Sequence, residues 1–242
     1  MHMTSQENNK SQTPAPPDAD EILNQFRLPI VRLCGAIGLP IFKIVKVLLR
    51  VSWKVRGLEN IKESESPLLF AANHQSHIDT HVILDVIPKS IRKRTAAVAA
   101  FDHFADYEGN SQKKRLLHFL VTAIWHAFAF ERVKSPLRSI RTMQALLDRG
   151  WSILIFPEGT RSRTGEIAPF KAGLAIVAKR TGRPVIPICI QGGGSVLAEA
   201  TYIPIKGTIT VSFGKPLHFE QNDTAKKFMQ RVEQVVRDME TP

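Results

Sequence analysis

Short apolar runs alternate with stretches of helical period from about Val51 to the end of the chain. The runs Leu68–Ala72, Ala96–Ala100, Ala127–Phe130, Trp151–Phe156, Val185–Ile190 and Thr208–Phe213 are each four to six residues long and predict strands. Between and after them, apolar positions recur at helical spacing, predicting helices over His77–Ile87, Ser111–Ala123, Pro136–Asp148, Ala172–Thr181 and Thr224–Met239. The third of these is well punctuated: Ser135 stands at the N-cap position, Pro136 in the first turn and Gly150 just past the end. Such alternation predicts an α/β fold with a mostly parallel or mixed central sheet flanked by helices. The apolar run Leu116–Phe130 is too short to span a bilayer and reads as buried helix turning into strand.

The region before this pattern is different. Residues 1–20 are polar and rich in Pro, Asn and Gln, which predicts a disordered tail. They have neither the charged start nor the apolar run of a secretory signal. From Ile22 to Trp53 the chain turns apolar and basic, but its longest uncharged stretch, Leu33–Phe42, is about half of what a membrane span needs. Gly38 and Pro40 interrupt it and predict two helices, with Pro40 near the start of the second. There Lys43, Lys46, Arg50 and Lys54 recur at helical steps along one face, and Ile41, Ile44, Val45, Leu48 and Leu49 fill much of the rest. A helix of this kind suits the headgroup boundary of a membrane, lysines beside anionic phosphates; docking on the chain's own core is the alternative. The expected division is therefore a tail over 1–20, a membrane-associating helical hairpin over 21–54, and one catalytic-sized domain over 55–242.

Composition narrows the choice of partner. A chain of 242 residues holds one sizeable domain. Its net charge of +11 predicts an anionic partner: nucleic acid, acidic lipid or a phosphorylated substrate. Aromatic residues make up only 7% of the chain, and no nucleic-acid motif is present, so nucleic acid is not expected. Two cysteines, Cys34 and Cys189, make neither a disulfide framework nor a metal ligand set.

The candidate chemistry lies where predicted strands give way to helices, the usual place for ligand sites in open α/β sheets. Asn73-His74-Gln75-Ser76-His77-Ile78-Asp79 follows the first strand. Inside one helix, His74 and Asp79 would point roughly 140° apart. If the helix begins near Ser76, however, Asp79 reaches back to the imidazole, fixes its tautomer and leaves the other nitrogen as a general base for a hydroxyl. Ser76 to Asp79 also fits a capping box, in which Asp79 merely serves backbone amides. His77, His81 and Asp85 share a helix face, but no further cluster completes a metal site, so none is expected.

The second junction is Phe156-Pro157-Glu158-Gly159-Thr160-Arg161-Ser162. Gly159 frees the backbone to turn, Thr160 offers a hydroxyl, and Arg161 and Arg163 offer guanidinium forks for phosphate. Lys171 precedes a helix start that favours an anion. Phe130-Glu131-Arg132 adds a cation at another strand end. Gly192-Gly193-Gly194-Ser195 ends yet another strand and reads either as amides near a phosphate or oxyanion or as a plain turn.

Taken in order, Asn73-His74-(four residues)-Asp79, Phe130-x-Arg132, Phe156 to Ser162 and Val185-Ile186-Pro187-Ile188 resemble the motifs of the glycerolipid acyltransferase family over about residues 50 to 220. The resemblance implies that His74 is the general base, Asp79 its orienting partner, Glu158, Gly159 and Thr160 part of the acceptor site, and Arg132 and Arg161 its phosphate ligands. It implies acyl-CoA or acyl carrier protein as co-substrate, no cofactor, and no enzyme nucleophile, because a thioester is already activated. The expected reaction is acylation of the free hydroxyl of lysophosphatidate to phosphatidate. It would take place at an anionic membrane surface, on the cytoplasmic face of the inner (plasma) membrane. Glycerol 3-phosphate, another lysophospholipid or a lyso-aminolipid are alternative acceptors, and a non-catalytic basic binding module is the alternative class. Ala127 and Ala129 stand where the family often carries glycine.

Overall fold

The computed structural model describes residues 18–62, 67–100, 123–130, 136–162, 164–197 and 204–240. The expected tail up to residue 17, most of the helix expected over Ser111–Ala123, and Glu131, Arg132 and Arg163 lie outside the described residues.

Seven strands form one mixed sheet: β1 (Val51–Arg56), β2 (Leu69–Ala72), β3 (Thr95–Ala100), β4 (Ala127–Phe130), β5 (Ser152–Ile155), β6 (Val185–Gln191) and β7 (Gly207–Phe213). Their order is β1-β7-β6-β2-β5-β3-β4, with every neighbouring pair parallel except β6 and β7. The helices among the described residues include α1 (Ala19–Arg27), α2 (Pro29–Leu48), α3 (Glu59–Lys62), α4 (Asp79–Val86), α5 (Lys89–Arg92), α6 (Pro136–Asp148), α7 (Gly173–Thr181), α8 (Gly193–Val196) and α9 (Ala225–Asp238).

The central strand shows why the sequence pattern reads as it does. Leu69 and Ala71 face a core built with Ile22, Phe26, Met143, Leu146, Leu174 and Phe228, while Phe70 and Ala72 face a core of Val82, Ile83 and Ile186. A strand buried on both faces is apolar at every position rather than at alternate ones. Its parallel neighbours β5 and β6 end at the same edge, so the segments after β2, β5 and β6 converge.

The N-terminal region departs from expectation in several ways. Helix α1 begins at Ala19, inside the expected tail, because Asp18 caps the amides of Asp20 and Glu21 while Glu21 returns the bond to Asp18. The buried face of α1, Ala19, Ile22, Leu23 and Phe26, belongs to the domain core, and Asp20 pairs with Arg149 at 2.9 Å. The break between the two helices falls at Leu28–Pro29, with a bend of 66°, and not at Gly38–Pro40. Pro29 forces Leu28 out of the helical region (φ −54°, ψ 132°), whereas Pro40 removes one backbone hydrogen bond without ending α2. Gly38 is a packing residue: a β-carbon there would sit 2.8 Å from Ile124 Cδ1. Residues 51–54, expected in the hairpin, belong to β1.

The lysine face of α2 is also turned differently. Lys43 and Lys46 lie 3.7 and 3.6 Å from the Asp85 carboxylate of α4, and Lys46 sits over the Trp53 ring. Ile30, Leu33, Ile37, Ile41, Ile44 and Leu48, at steps of three or four, are 51–74% exposed along another face. Among the described residues no single helix is long and apolar enough to cross a membrane.

Candidate active site

The segment after β2 is fastened before it reaches His74. The Asn73 amide works as a substitute for strand backbone, accepting from Ile190 N at 2.6 Å and donating to Ile190 O at 2.9 Å. It extends the β2–β6 pairing by one rung and sends the next residue out over the sheet edge. Ser76 anchors the far side of the turn, its hydroxyl donating to Leu197 O at 2.7 Å.

His74 and Asp79 meet between these anchors. His74 Nδ1 lies 2.9 Å from Asp79 Oδ2, and the same oxygen accepts from Gln75 N and Ser76 N at 2.7 Å each. Helix α4 begins at Asp79 rather than near Ser76, and the expected capping box does not form because the Ser76 hydroxyl goes to Leu197 O; the Asp79 carboxylate still serves two backbone amides while it holds the ring. Nδ1 is engaged by a fully buried carboxylate, which leaves Nε2 as the other ring nitrogen, and the side chain is 20% exposed. The pair has the geometry of a hydroxyl-activating base with its orienting acid.

The segment after β5 wraps the same histidine. The Phe156 ring stacks on the imidazole with centroids 4.0 Å apart and planes 17° from parallel. Ser162 N donates to His74 O at 2.8 Å. Glu158, almost completely buried, accepts from His74 N at 2.7 Å through Oε1 and from Ala168 N at 2.9 Å through Oε2. Burial pushes its carboxyl above the usual range, while the two amides favour the charged form. Gly159 takes φ +77° and donates to Phe156 O at 3.0 Å, forming the turn that carries exposed Thr160 and half-buried Arg161 between Glu158 and Ser162. Lys171 N donates to Pro157 O at 3.0 Å, which brings the exposed lysine to the same loop.

The structure thus gathers His74, Asp79, Glu158, Gly159, Thr160, Arg161 and Lys171 at one sheet edge. Arg132 lies outside the described residues, although β4, which precedes it, runs parallel to the rest of that edge. Sequence reasoning missed the fastening roles of Asn73, Phe156 and Ser76, which depend on which strands are neighbours. His77 is exposed, whereas His81 is buried against Phe42 and Trp125.

A family model described as Acyltransferase matches residues 52–191. The chloroplastic 1-acyl-sn-glycerol-3-phosphate acyltransferase BAT2 of Brassica napus is 28% identical over 180 residues, covering 70% of this chain and 46% of that protein. A 1-acyl-sn-glycerol-3-phosphate acyltransferase of Pseudomonas aeruginosa is 28% identical over 182 residues, covering 73% of this chain and 63% of that one. The chain spans about half the length of the plant relatives it matches. The crystal structure of the 1-acyl-sn-glycerophosphate (LPA) acyltransferase PlsC from Thermotoga maritima has a TM-score of 0.63 at 21% identity, covering 90% of this chain and 85% of that one. That likeness extends the shared fold over nearly the whole chain.

Proposed function

This chain belongs to the acyltransferase family, and from that premise we propose that it moves a fatty acyl group from acyl-CoA or acyl carrier protein to the free hydroxyl of lysophosphatidate, giving phosphatidate. The observation that carries the reading is the 2.9 Å contact between His74 Nδ1 and the buried Asp79 carboxylate at an edge lined with Thr160, Arg161 and Lys171. His74 Nε2 takes the proton of the acceptor hydroxyl as its oxygen bonds to the thioester carbonyl carbon. The tetrahedral oxyanion collapses, the C–S bond breaks, and the imidazolium returns the proton to the departing thiolate. Asp79 remains ionised throughout and stabilises the imidazolium. Base catalysis of this type contributes about 10²–10⁴ in rate. Arg161, Arg132 and Lys171 hold the acceptor phosphate, the two guanidinium groups by their planar forks.

The reaction takes place on a membrane, at its cytoplasmic face. The exposed aliphatic stripe of α2 lies in the hydrocarbon boundary, and the net charge of +11 favours anionic headgroups. Purified protein supplied with acyl-CoA or acyl carrier protein is expected to convert lysophosphatidate to phosphatidate, identified by mass. His74→Ala should abolish turnover while folding and vesicle binding persist. Full turnover in that variant refutes the base assignment. A panel containing glycerol 3-phosphate, other lysophospholipids and a lyso-aminolipid tests the acceptor, and preference for one without phosphate refutes the roles of the cations.

A further inference from the structure

The two oxygens of the Asp79 carboxylate are treated unequally. Oδ2 receives His74 Nδ1 and two backbone amides, whereas Oδ1 is buried and receives no donor among the described residues. Gly193 faces Oδ1 with no side chain between them. A β-carbon built on Gly193 would stand 2.5 Å from Oδ1, 3.5 Å from Ser76 Cβ and 3.6 Å from Asp79 Cγ. No real contact is that short, so something must move.

The backbone at 193 is poorly placed to give way. Gly192 adopts φ +86°, and a β-carbon on it would meet Thr208 O of β7 at 2.6 Å, so the chain is already pressed against the neighbouring strand. Upstream, Ile190 is clamped by the Asn73 amide; downstream, Leu197 O holds the Ser76 hydroxyl. Any side chain at 193 therefore transfers its strain to the carboxylate. Gly194 differs: a β-carbon there would lie 3.9 Å from Gln75 O, an ordinary contact.

We infer that Gly193 is a positioning residue for the His74–Asp79 pair: its missing side chain makes the space in which the carboxylate turns Oδ2 toward the ring and keeps Oδ1 covered. The inference rests on the acyl-transfer reading for its kinetic consequence, but its geometric content is independent of it. A displaced carboxylate loosens the base without touching either substrate, so the loss should fall on kcat rather than on KM.

The test is a set of purified full-length proteins: wild type, Gly193→Ala, Gly194→Ala, Asp79→Ala and the double variant of 79 and 193. Gly193→Ala should lower kcat about 100-fold with KM for lysophosphatidate and acyl-CoA within about threefold, and Gly194→Ala should stay within about twofold of wild type. In the Asp79→Ala background the space is open, so adding Gly193→Ala should change kcat by less than about twofold. The low-field proton resonance of the His74 Nδ1–H should be present in wild type and in Gly194→Ala and lost in Gly193→Ala. Retained kcat, an equal loss in both backgrounds, or an unaltered resonance in Gly193→Ala overturns the inference. Should Gly193→Ala fail to fold, the double variant decides: melting alongside Asp79→Ala supports the inference, and failing to fold as well refutes it. If wild type transfers no acyl group to any acceptor, the function falls alone, and the resonance still judges the geometry.

Discussion

Each oxygen of the Glu158 carboxylate accepts one backbone N–H, from His74 and from Ala168, so this side chain ties the histidine's own backbone to the loop after β5. Glutamine keeps only one acceptor oxygen and turns its NH2 toward the second amide, leaving a buried donor unsatisfied. Glu158→Gln should cost about 1–3 kcal/mol of stability, at about 2–4 °C of melting temperature per kcal/mol. It should also lower kcat with little change in acceptor KM. A higher acceptor KM at unchanged melting temperature would instead return Glu158 to direct acceptor contact. The contact between His74 and Asp79 was legible in the sequence because a carboxylate at a helix start can reach back over five residues, a local relation. The fastening of His74 by Glu158, Phe156 and Ser162 was not, because it requires β5 to lie beside β2, and strand order is not written in local periodicity.

Helix α2 shows the same limit at the scale of an element. Its lysines at regular steps were visible, but they are drawn onto Asp85, whose carboxyl is held below its usual range. Burial opposes that charge, and the Trp53 indole, His81, Lys46 and Lys43 together outweigh it. The aliphatic stripe is therefore the face left exposed, and under the proposed function it is the face that meets a bilayer. Ile37→Asp with Ile44→Asp should weaken binding to vesicles containing phosphatidylglycerol by about 100-fold or more, since burying each side chain is worth about 1.5–3 kcal/mol. The melting temperature should barely change, because both positions are exposed. Undiminished vesicle binding would remove α2 as the docking element. The strands were easier to read than this helix. Burial on both sheet faces gives continuous apolar runs, whereas Gly38 sits in a helix for a contact with Ile124 that lies 86 positions away, and only the fold reveals it.

For the molecule as a whole, the two N-terminal helices pack on the domain at two histidines, half-buried His126 and buried His81. Phe26 of α1 packs on His126, which also meets Trp151 edge-on; Phe42 of α2 packs on His81, whose Nδ1 accepts from Trp125 Nε1 at 3.2 Å. Burial pushes His81 down to about 4, against the pull of Asp85 and with help from Lys46, Arg92 and Lys43, and it lowers His126 as well. An unfolded histidine binds its proton near pH 6.5. Between about pH 6.5 and 4 the unfolded chain therefore takes up protons that the folded one refuses, so stability is lost as pH falls through that window. Glu158, with its carboxyl raised by burial, works in the opposite direction, gaining stability as pH falls through its own range. His81 alone should contribute a loss of about 2 kcal/mol between pH 7 and 5. Denaturant unfolding of wild type at those two pH values should show this loss, and His81→Phe, which keeps the packing on Phe42 and cannot take up a proton, should flatten it by that amount. An equal pH slope in both proteins would mean that His81 is protonated at no cost in the folded state, and that the contact between α2 and the domain is open to water.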